Sequence, residues 1–333
     1  HPHSGPATTY ASPRYCATDS TALDPNFGNK NDLEKLVNTA HENGSRILMD
    51  VVLNHTGPIT EEDPVWPSDW VLTEPTCAFT TYENTTACTL VDNLPDIKTA
   101  SDIPVELPDM LLAKWKEEGR LSIELDELQL FFDRTGYPRA PRYYIIKWLT
   151  DYVNELGIDG FRVDTVKHAD EKAWAELYTE ASFAFETWKN KHPDQVLDEN
   201  PFFMVGEVYN YGISAAKAFD FGDKKVNYFD NAFDGLINFE AKWNAAQMPT
   251  EAFFKKYSDI LNSDLKGYSV LNYLSSHDDG QPFDAKREKP LETGTFLLLA
   301  PGTSQVYYGD ESARGLIIAD TQGDATLRSF MNW

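Results

Sequence analysis

The chain has 333 residues, of which 41% are hydrophobic, 25% charged and 13% aromatic, a globular composition with room for a barrel-sized domain and a smaller companion. Its 53 acidic against 29 basic side chains leave a net charge of -24, and a field of that sign repels phosphate backbones and anionic lipid, which argues against nucleic acid or a membrane as partner. No apolar run approaches the roughly 18 residues of a membrane span, and the opening HPHSGPATTY lacks signal-peptide architecture, so a soluble mature chain is expected.

The first periodic segment is NDLEKLVNTAHENG. Leu33, Leu36, Val37 and Ala40 recur at i, i+3, i+4 and i+7, Asn31 and Glu34 form a variant of a capping box, and Gly44 terminates. An amphipathic helix is expected there. SRILMDVVLNH follows at once; it is apolar, β-branched and too short for a buried helix, and its polar residues gather at its far end. It reads as a buried parallel strand. The stretch 57–140 then breaks the rhythm, being rich in Pro, Thr, Asp and Trp. It is too long for a structureless loop, so a small domain inserted at 57–140 is expected to interrupt a catalytic domain of 1–56 and 141–333. Cys77 and Cys88 lie close enough in this stretch to close a small disulfide ring, leaving Cys16 over, which favours an oxidising compartment.

The rhythm resumes with PRYYIIKWLTDYVNELG, a helix opened by Pro141 and stopped by Gly157, and the strand IDGFRVD. A helix from Asp170 to Asn190 carries Ala173, Trp174, Leu177 and Ala181 on one face, and the strand FFMVGE follows. Next come a strand in FDGLINF, a helix from Glu251 to Asn262, a strand in YSVLNYLSS, a helix near LETGTFLLLA and a strand in SQVYYG. Alternation of this kind implies an α/β fold with a parallel sheet.

Polar residues collect where these strands end: Asp50, Asn54 and His55, then Arg162 and Asp164, then Glu207, then His277 and Asp278. In a (β/α) barrel all such ends face one mouth, where catalytic groups sit. Taken singly, Asp164 or Glu207 can cap a following helix and His277 can be a satisfied core histidine; Asp50 reads as a structural partner of Arg162. Together they point to chemistry. Two carboxylates that divide the labour of nucleophile and acid are what glycosidic cleavage requires, with a separation of about 5–5.5 Å if configuration is retained. Arg162 lies on the same strand face as Asp164 and favours its ionised form, making Asp164 the better nucleophile. Glu207 ends the apolar run FFMV with no adjacent cation, which makes it the better acid. The chain has no G-x-S-x-G, Walker loop, H-E-x-x-H or suitably placed G-x-G-x-x-G.

DVVLNH (Asp50 to His55), GFRVDTVKH (Gly160 to His168), GEVY (Gly206 to Tyr209) and SSHD (Ser275 to Asp278) resemble, in order and spacing, the four signature regions of the α-amylase superfamily, glycoside hydrolase family 13. LPDIKT (Leu94 to Thr99) resembles the extra signature of that family's domain B, and YYGDE (Tyr307 to Glu311) the segment at its eighth strand. The similarity is strongest to the periplasmic α-amylase branch.

The resemblance implies a (β/α)8 TIM barrel with domain B inserted after strand 3. It places the family's first two strands before His1, and its last helix and C-terminal β domain after Trp333, so that the chain carries strands 3–8. It makes Asp164 the nucleophile, Glu207 the general acid/base and Asp278 the carboxylate that stabilises the transition state. His55 and His277 would bond the sugar, Arg162 would orient Asp164, Lys167 and His168 would contact the leaving sugar, and Tyr15 would stack on the substrate. A structural calcium is implied on Asn54, Asp96 and the backbone carbonyl of His168. The expected partner is an α-glucan or maltooligosaccharide, and the expected location periplasmic or secreted. The segment SPRYCATD departs from the family's pattern: the histidine before the stacking aromatic is gone and Cys16 replaces tryptophan. Other activities of the same family, a maltogenic hydrolase, an α-glucosidase or a glucanotransferase, share these motifs, and an inactive glucan-binding fragment is the remaining alternative.

Overall fold

The computed structural model describes residues 19–23, 27–57, 66–319 and 326–333; Tyr15 and Cys16 lie outside them. In chain order the elements are α1 (Lys30–Glu42), β1 (Leu48–Val51), β2 (Val71–Leu72), α2 (Tyr82–Ala87), β3 (Asp96–Ile97), α3 (Asp109–Glu117), α4 (Leu121–Thr135), α5 (Pro141–Leu156), β4 (Gly160–Val163), α6 (Glu171–Lys191) and β5 (Phe203–Gly206). Then follow β6 (Phe219–Asp220), β7 (Lys225–Val226), α7 (Tyr228–Asn231), β8 (Gly235–Asn238), α8 (Ala241–Gln247), α9 (Thr250–Asn262), β9 (Ser269–Asn272), α10 (Pro290–Leu299) and β10 (Thr303–Ser304). Two compact units divide the chain. One holds the described residues of Arg14–Val205 with Phe221–Lys224; the other holds Gly206–Asp220 and the described residues of Lys225–Trp333.

In the first unit β1 and β4 pair in parallel, with Leu48 opposite Gly160 and Asp50 opposite Arg162. The Asp159 N–H donates to the Ile47 carbonyl at 3.0 Å and the Phe203 N–H to the Asp159 carbonyl at 3.2 Å, so Asp159 links the starts of β1, β4 and β5. Its side chain also accepts from the Ile47 N–H at 2.8 Å and lies 2.9 Å from Nε2 of the buried His41 on α1. Gly160 is required where β4 passes β5, because a Cβ there would sit 2.4 Å from the Phe203 carbonyl oxygen.

Helix α5 starts on Pro141 at its first position and ends on Gly157 at φ +73°, where a left-handed residue closes the last turn. It is buried on nearly every side, Arg142 and Lys147 included. Trp70, Trp115 and Trp148 are fully buried, with Trp70 stacked on Trp148 at 6.2 Å and Trp115 edge-on to it at 6.1 Å. This aromatic cluster gives the Trp-rich stretch after β1 a packed base on α5. The two cations α5 buries are both paired: Arg142 with Glu176 at 2.8 Å and Asp102 at 2.5 Å, Lys147 with Asp151 at 2.6 Å and Glu127 at 2.8 Å. The Cys77–Cys88 disulfide forms.

In the second unit β8, β9 and β10 run parallel, Gly235 opposite Ser269 and Leu271 opposite Thr303. Two fully buried amides tie their ends: Asn238 donates to Asn272 at 2.8 Å, and Asn272 donates to the Pro301 carbonyl at 2.9 Å.

All six expected parallel strands form, with three adjustments. The strand expected in SQVYYG is Thr303–Ser304, because Tyr307–Asp310 turns back on itself, the Tyr307 N–H and Ser275 hydroxyl both donating to Asp310. The capping box of α1 is Asn29 with Asp32 rather than Asn31 with Glu34, since Asn29 is the residue with extended backbone. The hairpin β6–β7 and the short α7, between β5 and β8, have too few residues to show a period.

Glu240 ties three segments of this unit. It accepts from the Ser214 N–H at 3.0 Å, the Ser214 hydroxyl at 2.7 Å, the Asn244 amide at 2.8 Å and the Lys256 ammonium. Burial alone would raise its carboxyl, but the Lys256 ammonium, Ser214 and Asn244 outweigh that and hold it at about 2. A depressed folded value means that the stability from this group is present above its ordinary 4.5 and is lost as pH falls towards about 2. Glu240→Gln is therefore expected to lower stability at neutral pH by about 1–2 kcal/mol and to flatten the acid limb, read by denaturant unfolding at stepped pH.

Candidate active site

The parallel register of β1 and β4 sets Asp50 across from Arg162, and strand alternation puts Asp164 on the same face two residues on. The guanidinium is accordingly shared: Nη1 donates to Asp164 at 2.7 Å and to Asp50 at 3.0 Å. Asp164 is buried, while the Asp50 side chain is 41% exposed. The strand is extended past its end by the Asp164 N–H, which donates to the Val51 carbonyl at 3.0 Å. Thr165 then turns the chain at φ +50°, a left-handed conformation that costs a β-branched residue about 1–2 kcal/mol. That strain sits beside the carboxylate that Arg162 binds.

The turn leads into Lys167 and His168. His168 is buried, and its Nδ1 donates to the Thr85 carbonyl at 3.2 Å, leaving Nε2 as the acceptor. Burial holds its imidazole down at about 4, Lys167 and His55 pushing the same way and the Thr85 bond and Asp164 opposing. His168 is thus neutral at neutral pH, and one imidazole senses Lys167, His55 and Asp164 together.

Asn54 and His55 follow β1 and run antiparallel to Pro95–Ile97: the Thr56 N–H donates to the Pro95 carbonyl at 2.9 Å and the Ile97 N–H to the Asn54 carbonyl at 2.7 Å, setting His55 opposite Asp96. Burial pushes the Asp96 carboxyl up to about 7 against the pull of the Leu90 N–H and the Asn54 side chain. Both partners are neutral, so among the described residues this carboxylate is buried beside an amide rather than a cation. An amide oxygen and a carboxylate suit a hard divalent ion, whose charge would return Asp96 to its ionised form. The residues fit calcium on that ground, although among the described residues no group of three or more His, Cys, Asp or Glu forms a metal cluster.

The second unit carries the other expected carboxylates. Glu207 is buried just past β5, where Gly206 is pressed against Phe233 and Leu236. Asp278 lies in the loop after β9; Oδ1 accepts from the Ser276 hydroxyl at 2.8 Å and Oδ2 lies 3.7 Å from Nε2 of His277. The His277 carbonyl accepts from Arg328 at 3.0 Å. Tyr273 brings these groups into one neighbourhood: burial and the carboxylates of Asp279, Asp278 and Glu207 all push its phenol up. Sequence reasoning missed Tyr273, Asp279 and Lys242, the last a buried cation on α8 bonded to Asp279. Nothing in the text EAKWNAAQ separates Lys242 from an ordinary solvated lysine.

The family model of the alpha-amylase catalytic domain matches residues 7–64 and 139–330. The chain belongs to the alpha-amylase family. Within that family it is 33% identical to a periplasmic alpha-amylase of Escherichia coli (strain K12), over 97% of this chain and 51% of that protein. It is 25% identical to a cyclomaltodextrinase of Bacillus sp, over 96% of this chain and 49% of the relative. The chain thus spans about half the length of these curated relatives. A solved alpha-amylase of Geobacillus thermoleovorans, complexed with acarbose, superposes with a TM-score of 0.64 at 20% identity, covering 95% of this chain and 60% of that one. The fold is accordingly that of the family's α/β barrel, of which β1, β4, β5, β8, β9 and β10 are the described parallel strands.

Because Arg162 and Asp164 are both largely shielded while Asp50 is half in water, their contributions should differ. Arg162→Leu strands a buried carboxylate and is expected to cost about 3 kcal/mol, whereas Asp50→Asn should cost under about 1 kcal/mol. Urea unfolding of the two variants checks the order.

Proposed function

We propose that the protein is a retaining, endo-acting α-amylase that cleaves α-1,4-glucosidic bonds in starch-like glucans or maltooligosaccharides. The observation that carries this reading is the Asp164 carboxylate, aimed by a strained turn at the end of β4 and bonded to Arg162. Held in that way its carboxylate is fixed in orientation, as a nucleophile requires.

In this reading Asp164 attacks the anomeric carbon while Glu207 protonates the departing glycosidic oxygen, giving a covalent glucosyl-enzyme. Glu207 then takes a proton from water as that water displaces Asp164. Asp278 stabilises the positive charge that develops on the sugar between these steps. His55, His277, Lys167, His168 and Tyr15 contact the glucan, and a neutral His168 presents an acceptor to a sugar hydroxyl. Asn54, Asp96 and the His168 carbonyl would hold a calcium ion, which would supply the positive charge that the buried Asp96 carboxylate lacks. The stretch 57–140 serves as domain B. Support for it comes from the family model, whose matched residues leave out 65–138. The disulfide and the periplasmic location in the name of the Escherichia coli relative support a periplasmic or secreted protein; no described helix is long and apolar enough to cross a membrane.

The cyclomaltodextrinase relative favours a second reading, a hydrolase of cyclic or short maltooligosaccharides. Products from a long glucan separate the two: internal cleavage yields mixed oligosaccharides early, whereas transfer products alone, or glucose released only from ends, reject the endo-hydrolase. The first product should keep the α configuration, and inversion rejects the double displacement. In the full-length protein Asp164→Asn is expected to lower kcat at least about a thousandfold; an unchanged rate removes Asp164 from the mechanism, and from it the glucan-binding alternative gains. Chelation of calcium should lower both the melting temperature and the activity, and no change in either rejects the metal site.

A further inference from the structure

Two adjacent acidic residues in the loop after β9 face opposite ways. The Asp278 side chain is 36% exposed, while that of Asp279 is only 11% exposed. What holds Asp279 inward is Lys242 on α8, itself buried, whose ammonium donates to Asp279 Oδ1 and, at 3.1 Å, to the Gln281 carbonyl. The same Asp279 oxygen accepts from the Gln281 N–H at 2.9 Å. One ammonium and one carboxylate therefore close a tight turn over 279–281, and the backbone leaving that turn carries Asp278. Beyond it the loop is pinned again by the Phe283 N–H on the Leu274 carbonyl at 2.9 Å. Tyr273 also bonds Asp279, and a buried charge pair tolerates little movement because separating it strands both charges.

We propose that Lys242 is a positioning residue for the hydrolytic reaction: its clamp on Asp279 and the Gln281 carbonyl sets the direction in which the adjacent Asp278 carboxylate points. This rests on the reading above in which Asp278 stabilises the transition state. Glu207, Asp278 and Asp279 all act on Tyr273, and Lys242 forms an ion pair with one of them, Asp279.

The test uses the full-length protein and steady-state hydrolysis of a maltooligosaccharide. Lys242→Met keeps the length of the stem and removes the charge; Asp279→Asn keeps the bond to the Gln281 N–H and removes the opposite charge. A reacting group displaced by about 1 Å can lose about a hundredfold in rate, and a loss of that order in kcat, with KM little changed, is expected for each variant. The double variant should be no slower than either single one, since both break the same clamp, and Lys242→Arg should recover most of the lost rate. A merely structural lysine predicts another pattern: a lower melting temperature with kcat per folded molecule unchanged. That pattern overturns the proposal, as do additive losses in the double variant. If Lys242→Met does not fold, Asp279→Asn alone decides by the same split. Asp278→Asn run alongside separates the two levels: wild-type rate there sinks the assignment of the reaction, whereas an inactive Asp278→Asn beside a fully active Asp279→Asn sinks the clamp alone.

Discussion

One guanidinium organises the carboxylates at the end of β4. Parallel pairing of β1 with β4 puts Asp50 opposite Arg162, strand alternation puts Asp164 on the same face, and Arg162 bridges both. Removing the arginine would leave a buried negative charge without a partner, so the position of Asp164 and the register of the two strands are parts of one constraint. The residues around it follow the same logic. Thr165 accepts an unfavourable backbone conformation next to Asp164, and Asp159 ties the starts of three strands together so that their ends are also fixed.

The two units solve a similar problem by different means. In the first, an exposed-to-buried gradient along one ion-paired triad aims a single carboxylate. In the second, the groups are spread over a strand end and a loop, and side-chain hydrogen bonds hold the loop: Ser276 to Asp278 within it, Ser275 to Asp310 after β10, and Lys242 of α8 to Asp279. A loop needs more anchors than a strand because it has no ladder of its own. The anchors of this loop come from α8 and from the segment after β10.

Much of this was legible in the sequence, for identifiable reasons. Apolar runs with a charge at one end marked the strands, since a buried parallel strand has nowhere else to put a polar residue, and Arg162 beside Asp164 could be read from period two alone. The partnership of Asp50 with Arg162 was likewise readable, as both end strands that follow helices. Signals failed where structure is made by few residues or by distant ones. The turn at Tyr307–Asp310 looked like strand because its tyrosines are β-formers, and only contact with Ser275 shows why it bends. Lys242 was invisible because burial of a lysine depends on what covers it, and what covers it arrives almost forty residues later in the loop of Asp279. The helices α3 and α4 in the Trp-rich stretch were masked by the composition around them; α3 packs Trp115 on Trp148 of α5, and α4 packs Phe132 on Tyr144 of α5.

The amide pair at the ends of β8 and β9 has a consequence of another kind. Strands that are apolar on both faces can slide past one another by a residue at little cost in burial, so greasy parallel sheets are poorly indexed by hydrophobicity. Asn238 and Asn272, completely enclosed, can satisfy each other and the Pro301 carbonyl in one alignment only. Any slip would maroon two polar side chains in the interior. They act as a notch that lets the strands engage in a single position, and every side chain those strands deliver to their ends inherits its place from that notch.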